Sequence, residues 1–545
     1  MTDAVLEVEG LTVDLPGSGD RSHAVEDLSF RVNAREIVCI VGESGSGKSV
    51  TAFTTMGLLP KVLKPSAGRV IFEGRDILRM RPRDHAKLRG NRMAMIFQEP
   101  MTSLNPCFTV GNQIEEVFKS HSKLSRSERR SRTLALLEEV HLPEVHRIYA
   151  SYPHQLSGGQ RQRIVIALAL AMNPSLLIAD EPTTALDVTT QAQILSLIRR
   201  LKERHGAGIL FVTHDFDVVA EIADRVVVMQ NGRIVEEGPA SDILNRPQHP
   251  YTQQLIAAVP PRRAPDHIPL HEDVPVTLNV EGLATTFHIP RTLTTPARTV
   301  HAVQPASFAL RRGETLGIVG ESGSGKTTLV RSLIRLVEPD TGRILIEDTD
   351  FTALSGRELR RKRRLIQIVF QDPYGSLNPR RSIGDQLVSA PINAGTSKDR
   401  AWMMARDLIR IVRLDPEALT RYPSQFSGGQ RQRICIARAL MMEPEILIAD
   451  EAVSALDVSV QREVLNLLKE VRDRMGLTLL FITHDLRVAA QISDRIAVMK
   501  GGAIVETGTA RDILENSRND YTRSLLASMP GKHWDVPDIA ATQPF

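Results

Sequence analysis

Two tandem α/β domains, each with a mainly parallel core sheet, are the fold this sequence predicts. Three observations carry the prediction. A set of motifs occurs twice in the same order: GESGSGKS at 42–49 and GESGSGKT at 320–327, SGGQRQRI at 157–164 and 427–434, LIADE at 177–181 and 447–451, THD at 213–215 and 483–485. A period this long marks a duplicated domain, not a solenoid. Short apolar runs rich in β-branched residues precede the motifs, as in EIVCIV, SLLIAD and ILFVTH and their counterparts TLGIVG, EILIAD and LLFITH. Buried runs of this kind, separated by helical stretches, argue for parallel strands. The polar motif residues fall at the carboxyl ends of those runs, where ligand chemistry sits in open α/β sheets.

A chain of 545 residues accommodates roughly two to four domains. Hydrophobic residues make up 42% and aromatics only 4%, so the cores must rely on Leu, Ile, Val and Ala. With 68 basic against 64 acidic residues the net charge is +4, too balanced to indicate nucleic acid or an anionic surface as partner. The basic run Arg360–Arg364 directly precedes a predicted strand and reads as a solvated helix face. Cys39, Cys107 and Cys435 are far apart and lack metal-ligand spacing, which fits a reducing cytosolic home. The N-terminus carries Asp3, Glu7 and Glu9 without an apolar core, unlike a signal peptide. Apolar stretches such as Ile164–Met172 fall well short of the roughly 20 residues of a membrane span. Any spanning helices must come from other chains.

Along the chain, the first copy covers residues 1–245. An extension and linker follow at 246–277, where VPPRRAPDHIP can propagate neither helix nor strand. The second copy covers 278–530, and residues 531–545 read as a loose tail.

GxxxxGK[ST] after a strand is a phosphate-binding loop. Gly42, Ser44, Gly45 and Gly47, and likewise Gly320, Ser322, Gly323 and Gly325, let backbone N–H groups converge on anionic oxygens. The following helix N-terminus adds favourable partial charge. Lys48 and Lys326 are placed to reach the β- and γ-phosphates of ATP; Ser49 and Thr327, the latter followed by Thr328, to ligate Mg²⁺. Asp180 and Asp450 end apolar strands, as a second Mg²⁺-binding carboxylate should. Glu181 and Glu451 come next, where an acid can polarise an attacking water. His214 and His484 end the following strand and are expected to contact the γ-phosphate. Gln98 and Gln371 also end β-like runs, and a neutral amide there suits a sensor of both Mg²⁺ and water.

Ser157, Gly158, Gly159 and Gln160, within LSGGQ, recur as Ser427, Gly428, Gly429 and Gln430, within FSGGQ. With SGGQ between a phosphate loop and an acid-ending strand, the sequence resembles the ATP-binding cassette family over about Leu6–Pro530. The resemblance implies two ABC-type cassettes, each with an antiparallel β subdomain and a helical subdomain beside the core sheet. It implies head-to-tail pairing, with Ser427 and Gly429 closing on the ATP held by Lys48, and Ser157 and Gly159 on that held by Lys326. Asp187 and Asp457 match the loop that crosses such an interface. The family usually stacks an aromatic on adenine; His23 and His301 are candidates, ordinary surface histidines being the alternative.

QEPMTSLNP (98–106), QDPYGSLNPR (371–380), HPYTQQLIAAVP (249–260) and DYTRSLLASMP (520–530) are similar to segments of the peptide importers and their nickel and glutathione relatives. That branch implies two transmembrane permease subunits docking near 97–152 and 369–422. It also implies an extracytoplasmic substrate-binding protein and a peripheral position on the cytoplasmic face of the membrane. Dipeptide or oligopeptide import is the leading expectation. Nickel or glutathione import, or a soluble tandem-cassette ATPase without a transporter, are the alternatives. Some relatives carry a Cys-rich segment after a cassette; 246–280 and 516–545 contain no cysteine, so no iron–sulfur cluster is expected. Ala452 stands where Pro182 follows the acid of the first copy, leaving every chemical group in place.

Overall fold

The computed structural model describes residues 4–17, 21–98, 103–183, 186–265, 273–290, 297–347, 349–454 and 456–537. Two compact units emerge. The first comprises Met1–Val259 with Asp457–Ser459 and Met529–Phe545; the second comprises Pro260–Leu456 and Val460–Ser528.

The strands of the first unit are β1 (Ala4–Asp14), β2 (His23–Asn33), β3 (Ile37–Val41), β4 (Lys64–Phe72), β5 (Arg75–Asp76), β6 (Met93–Ile96), β7 (Leu176–Asp180), β8 (Gly208–Val212), β9 (Arg225–Gln230) and β10 (Arg233–Pro239). They form an antiparallel sheet in the order β2-β1-β4-β5 and a main sheet in the order β10-β9-β3-β8-β7-β6. In the main sheet β6, β7, β8, β3 and β9 are mutually parallel, and β10 joins antiparallel at the edge.

The second unit repeats this plan. Its strands are β11 (Val276–Ile289), β12 (Arg298–Arg311), β13 (Thr315–Val319), β14 (Thr341–Ile346), β15 (Thr349–Asp350), β16 (Ile366–Val369), β17 (Ile446–Asp450), β18 (Thr478–Thr483), β19 (Arg495–Lys500) and β20 (Ala503–Thr509). Their orders are β12-β11-β14-β15 and β16-β17-β18-β13-β19-β20. The phosphate-loop strand is thus interior to the main sheet in both units.

Every residue of β3, β7, β8, β13, β17 and β18 is buried. Alternation along these strands feeds two separate cores. Val38, Ile40, Ile178, Leu210 and Val212 pack toward the antiparallel sheet and the helix Lys48–Met56. Ile37, Cys39, Leu177, Ile209 and Phe211 pack toward the helices that lead to and follow SGGQ. Phe481 takes the place of Phe211 in the second unit. Both phenyl rings are fully buried, and truncating either to Ala costs about 3–5 kcal/mol. The helical layer of the first unit includes Val110–His121, Arg126–Glu139 and Val145–Ala150; that of the second includes Ile383–Asn393 and Lys398–Ile411.

Two boundaries differ from the sequence expectation. The first unit continues past Asn245 through the helix Pro250–Ala257 to Val259. Residues 266–272 of the expected linker lie outside the described residues. Part of the expected loose tail is packed, through Trp534 and Val536. Trp534 is 7% exposed within the first unit's core, and Val536 packs beside it. Burial of a large indole outweighs the polar, Pro-containing composition that suggested a free end. Gly531 turns the chain there at φ 66°, where a Cβ would meet Asp217 Oδ1 at 2.8 Å. Residues 538–545 of that tail lie outside the described residues.

Candidate active site

Each phosphate loop leaves its strand and opens a helix whose first residue is the loop lysine, Lys48–Met56 in the first unit and Lys326–Leu333 in the second. Gly47 (φ 105°) and Gly325 (φ 104°) take the left-handed conformation at the helix start. A Cβ there would lie 2.7 Å from Ala24 O or 2.2 Å from Ala302 O, so only glycine fits. Lys48 is buried, and its Nζ donates to Gly42 O at 2.7 Å and Glu43 O at 2.8 Å. Lys326 donates to Gly320 O at 2.7 Å and Glu321 O at 3.0 Å. Burial pulls the Lys48 pKa below its ordinary value, against the pull of Glu181, Asp180 and Glu43.

The strand-end acids converge on these loops. Ser49 Oγ donates to Asp180 Oδ1 at 3.0 Å. Burial pushes the Asp180 carboxyl up to about 6, with Glu181 adding and the Ser49 hydrogen bond opposing. Asp450 is likewise pushed up to about 6, by burial and then by Glu451. Its Oδ1 is buried without a hydrogen-bond partner, an arrangement that favours a cation.

Glu181 (φ 45°) and Glu451 (φ 48°) both adopt the left-handed conformation, unusual for a residue with a Cβ. Their amides are anchored to the neighbouring strand, Glu181 N donating to Val212 O and Glu451 N to Ile482 O, each at 2.9 Å. This turn lets consecutive residues serve different ends: the aspartate stays buried, and the glutamate meets the glutamine and histidine. Gln98 Nε2 donates to Glu181 Oε2 at 2.9 Å, and Gln371 Nε2 to Glu451 Oε2 at 2.7 Å. His214 Nδ1 lies 3.2 Å from Glu181 Oε1. His484 Nδ1 lies 4.0 Å from Glu451 Oε2. For His214, burial opposes the imidazolium, but the neighbouring carboxylates, Glu181 foremost, together hold the pKa above the ordinary 6.5. Backbone strain repeated at one residue of two duplicated sites is a mark of function.

The SGGQ segments are helix N-termini built as capping boxes. Ser157 Oγ accepts from Gln160 N at 3.3 Å, and Gln160 Oε1 from Ser157 N at 3.0 Å. Ser427 and Gln430 repeat the pair at 3.3 and 3.1 Å. The helices Gly158–Leu170 and Gly428–Leu440 follow. Gly159 and Gly429 press on the next long helix, where a Cβ would meet Thr190 Cγ2 at 2.8 Å or Val460 Cγ1 at 2.3 Å. Asp187 caps that helix in the first unit, accepting from Thr190 N at 2.8 Å.

His23 and His301, the stacking candidates, are engaged with strand neighbours. His23 Nδ1 lies 2.9 Å from Asp14 Oδ1, and His301 Nδ1 3.2 Å from Thr286 Oγ1. A cleft of about 820 Å³ beside the first loop is lined instead by Leu15, Arg21, Gln230, Asn231, Tyr251 and loop residues including Glu43. Arg21 donates to Gly45 O. Sequence reasoning missed Arg21, for which no motif signals. It also missed Tyr251, for which the recurrence of Tyr-Thr at 251–252 and 521–522 was an available signal.

The ABC transporter family pattern matches residues 25–184 and 303–454. The pattern described as oligopeptide/dipeptide transporter, C-terminal region, matches 235–282 and 505–544. The glutathione import ATP-binding protein GsiA of Escherichia coli (strain K12) is 47% identical, covering 96% of this chain and 89% of its own length. Its namesake from Pectobacterium atrosepticum is 46% identical at the same coverage. Among solved structures, a dimeric ATP-binding cassette bound to ADP and phosphate is 31% identical, covers 43% of this chain and 98% of its own, and has a TM-score of 0.39. The chain therefore belongs to the ABC transporter family, as an ATP-hydrolysing subunit carrying two cassettes and, after each, the C-terminal region of the oligopeptide/dipeptide group.

Proposed function

We propose that this ATPase energises import of a dipeptide or oligopeptide, through two ATP sites, one on each phosphate loop. The observation that carries the reading is the duplication of the whole constellation, loop lysine, strand-end acid pair, glutamine and histidine, each followed by a peptide-importer C-terminal region. Glu181 and Glu451 polarise the attacking water, and Gln98, Gln371, His214 and His484 orient it and the γ-phosphate. The backbone amides of Gly42–Ser49 and Gly320–Thr328 cradle the phosphates.

The residues fit Mg²⁺. Ser49 with Asp180, and Thr327 with Asp450, offer hard oxygen donors, and one carboxylate per site suits an ion completed by phosphate and water. Among the described residues no group of three or more His, Cys, Asp or Glu forms an all-protein cage. Bound there, Mg²⁺ supplies charge neutralisation at the phosphate oxygens.

The capped helix N-termini at Ser157 and Ser427 are suited to a negative γ-phosphate.

No helix among the described residues is long and apolar enough to cross a membrane. Two permease subunits supply the channel, an extracytoplasmic binding protein delivers cargo, and this chain sits peripherally on the cytoplasmic face. Glutathione, itself a tripeptide, is the second cargo reading, favoured by relatives that bear that name. Purification of the tagged chain from native membranes in mild detergent tests the proposal. Two multi-spanning proteins should co-purify, and a loaded binding protein should stimulate the ATPase. Recovery without any membrane protein would overturn it.

A further inference from the structure

The region after each cassette reaches back into the phosphate loop. In the first unit, Glu236 on β10 accepts from Gln248 N at 2.7 Å and His249 N at 3.2 Å. His249 Nδ1 then accepts from Tyr251 N at 3.2 Å, capping the helix Pro250–Ala257. Tyr251 is buried, and its Oη accepts from Glu43 N at 3.0 Å across 208 positions of sequence. The second unit repeats each step with different residues. Glu506 on β20 accepts from Arg518 N at 2.7 Å and Asn519 N at 3.3 Å. Asn519 Oδ1 accepts from Tyr521 N at 2.9 Å, and Tyr521 Oη accepts from Glu321 N at 3.4 Å.

The target of each hydroxyl decides its meaning. Glu43 N–H and Gly42 C=O belong to one planar peptide, and Gly42 O is the acceptor of Lys48 Nζ. Tyrosine and lysine therefore grip opposite ends of the same plane. Fixing the N–H end sets the tilt of the carbonyl that holds the ammonium. It also commits that N–H to the tyrosine. Glu321 N–H and Gly320 C=O, the latter bonded to Lys326, reproduce the arrangement.

We propose that Tyr251 and Tyr521 are positioning residues of the two phosphate loops, each holding the peptide that aims its loop lysine. The proposal rests on the reading of these loops as ATP sites. Tyr→Phe removes the hydroxyl and keeps the ring, so the test uses Tyr251→Phe in the full-length chain carrying Lys326→Ala, in which the first loop is the binding site. The affinity for a non-hydrolysable Mg·ATP analogue should fall about three- to tenfold, the worth of one buried hydrogen bond. KM should rise by a similar factor with kcat little changed, because the lost contact serves ground state and transition state alike. Tyr521→Phe in a Lys48→Ala background should give a smaller loss, its hydrogen bond being longer. Unchanged affinity in Tyr251→Phe, or a fall in melting temperature and kcat with KM unmoved, would leave the tyrosine a packing residue and overturn the proposal. Failure of the ATP-site reading itself looks different: Lys48→Ala with Lys326→Ala would still bind two analogues per chain.

Discussion

Glu181 and Glu451 occupy the same strand-end turn in the two cassettes, yet their surroundings differ. In the first cassette the glutamate is held by Gln98 at 2.9 Å and His214 at 3.2 Å, and Ser49 closes on Asp180. In the second the glutamine is as close, at 2.7 Å, but the histidine stands off at 4.0 Å. There Lys326 Nζ lies 3.8 Å from Glu451 Oε1, and Asp450 Oδ1 has no hydrogen-bond partner. The residue after the acid differs too. The Pro182 carbonyl accepts from Gln162 Nε2 at 2.6 Å, whereas Nε2 of Gln432, the corresponding residue of the second copy, is buried without a partner. Closely similar motifs thus carry different hydrogen-bond sets, and the difference assigns the first cassette the better-held acid.

The largest effect expected is on turnover. Glu181→Gln and Glu451→Gln should each slow hydrolysis at their own site by about 10²–10⁴-fold. Of the two, Glu181→Gln should remove the larger share of steady-state ATPase; equal losses would break the comparison.

Next comes stability at the aspartates, measured by denaturant unfolding of metal-free, nucleotide-free protein. Each carboxyl titrates near 6 when folded against an ordinary 3.8. The fold therefore binds that proton more tightly than the unfolded chain does. The associated stability is present below the ordinary value and lost as pH rises through about 6. Asp180→Asn and Asp450→Asn should accordingly stabilise the protein by up to about 3 kcal/mol near neutral pH, and less in acid. The gain should be larger at Asp450, whose carboxylate oxygen is unpartnered. A loss of stability at neutral pH would contradict the burial argument.

Smaller is the contribution of His214, whose raised pKa gives a stability fully present below 6.5 and lost as pH climbs through the folded value. His214→Gln should thus lower the melting temperature more at about pH 6 than at about pH 8.5. A pH-independent difference would sever the His214–Glu181 pair. The smallest effect is that of Ala452→Pro. The turns at Glu181 and Glu451 have nearly equal φ and the first carries Pro182 at the next position, so the gain should be about 0.4–1 kcal/mol. Destabilisation would mean that the two turns diverge after the acid.

Much of this was legible in the chain. Apolar runs ending in Asp-Glu or His, and the loop glycines, reflect local rules: a buried strand is apolar on both faces, and a helix start pressed against a carbonyl has no room for a Cβ. Residues acting across long separations were not legible. Tyr251 and Glu43 meet only because the helix Pro250–Ala257 folds back to the phosphate loop. Arg21 lies in a segment without a motif, and His23 and His301, chosen by spacing alone, turn out to serve their own hairpins. Trp534 was misread because composition averages over neighbours, whereas burial is decided side chain by side chain.

The central claim is that one chain holds two hydrolytic ATP sites, each with its own strand-end glutamate. Incubating the Glu181→Gln/Glu451→Gln chain with Mg·ATP, removing free nucleotide by gel filtration and counting what remains tests it most directly. Two intact ATP molecules per chain with negligible phosphate release is the result this account predicts. Rapid release of phosphate, or a single retained nucleotide, would contradict it.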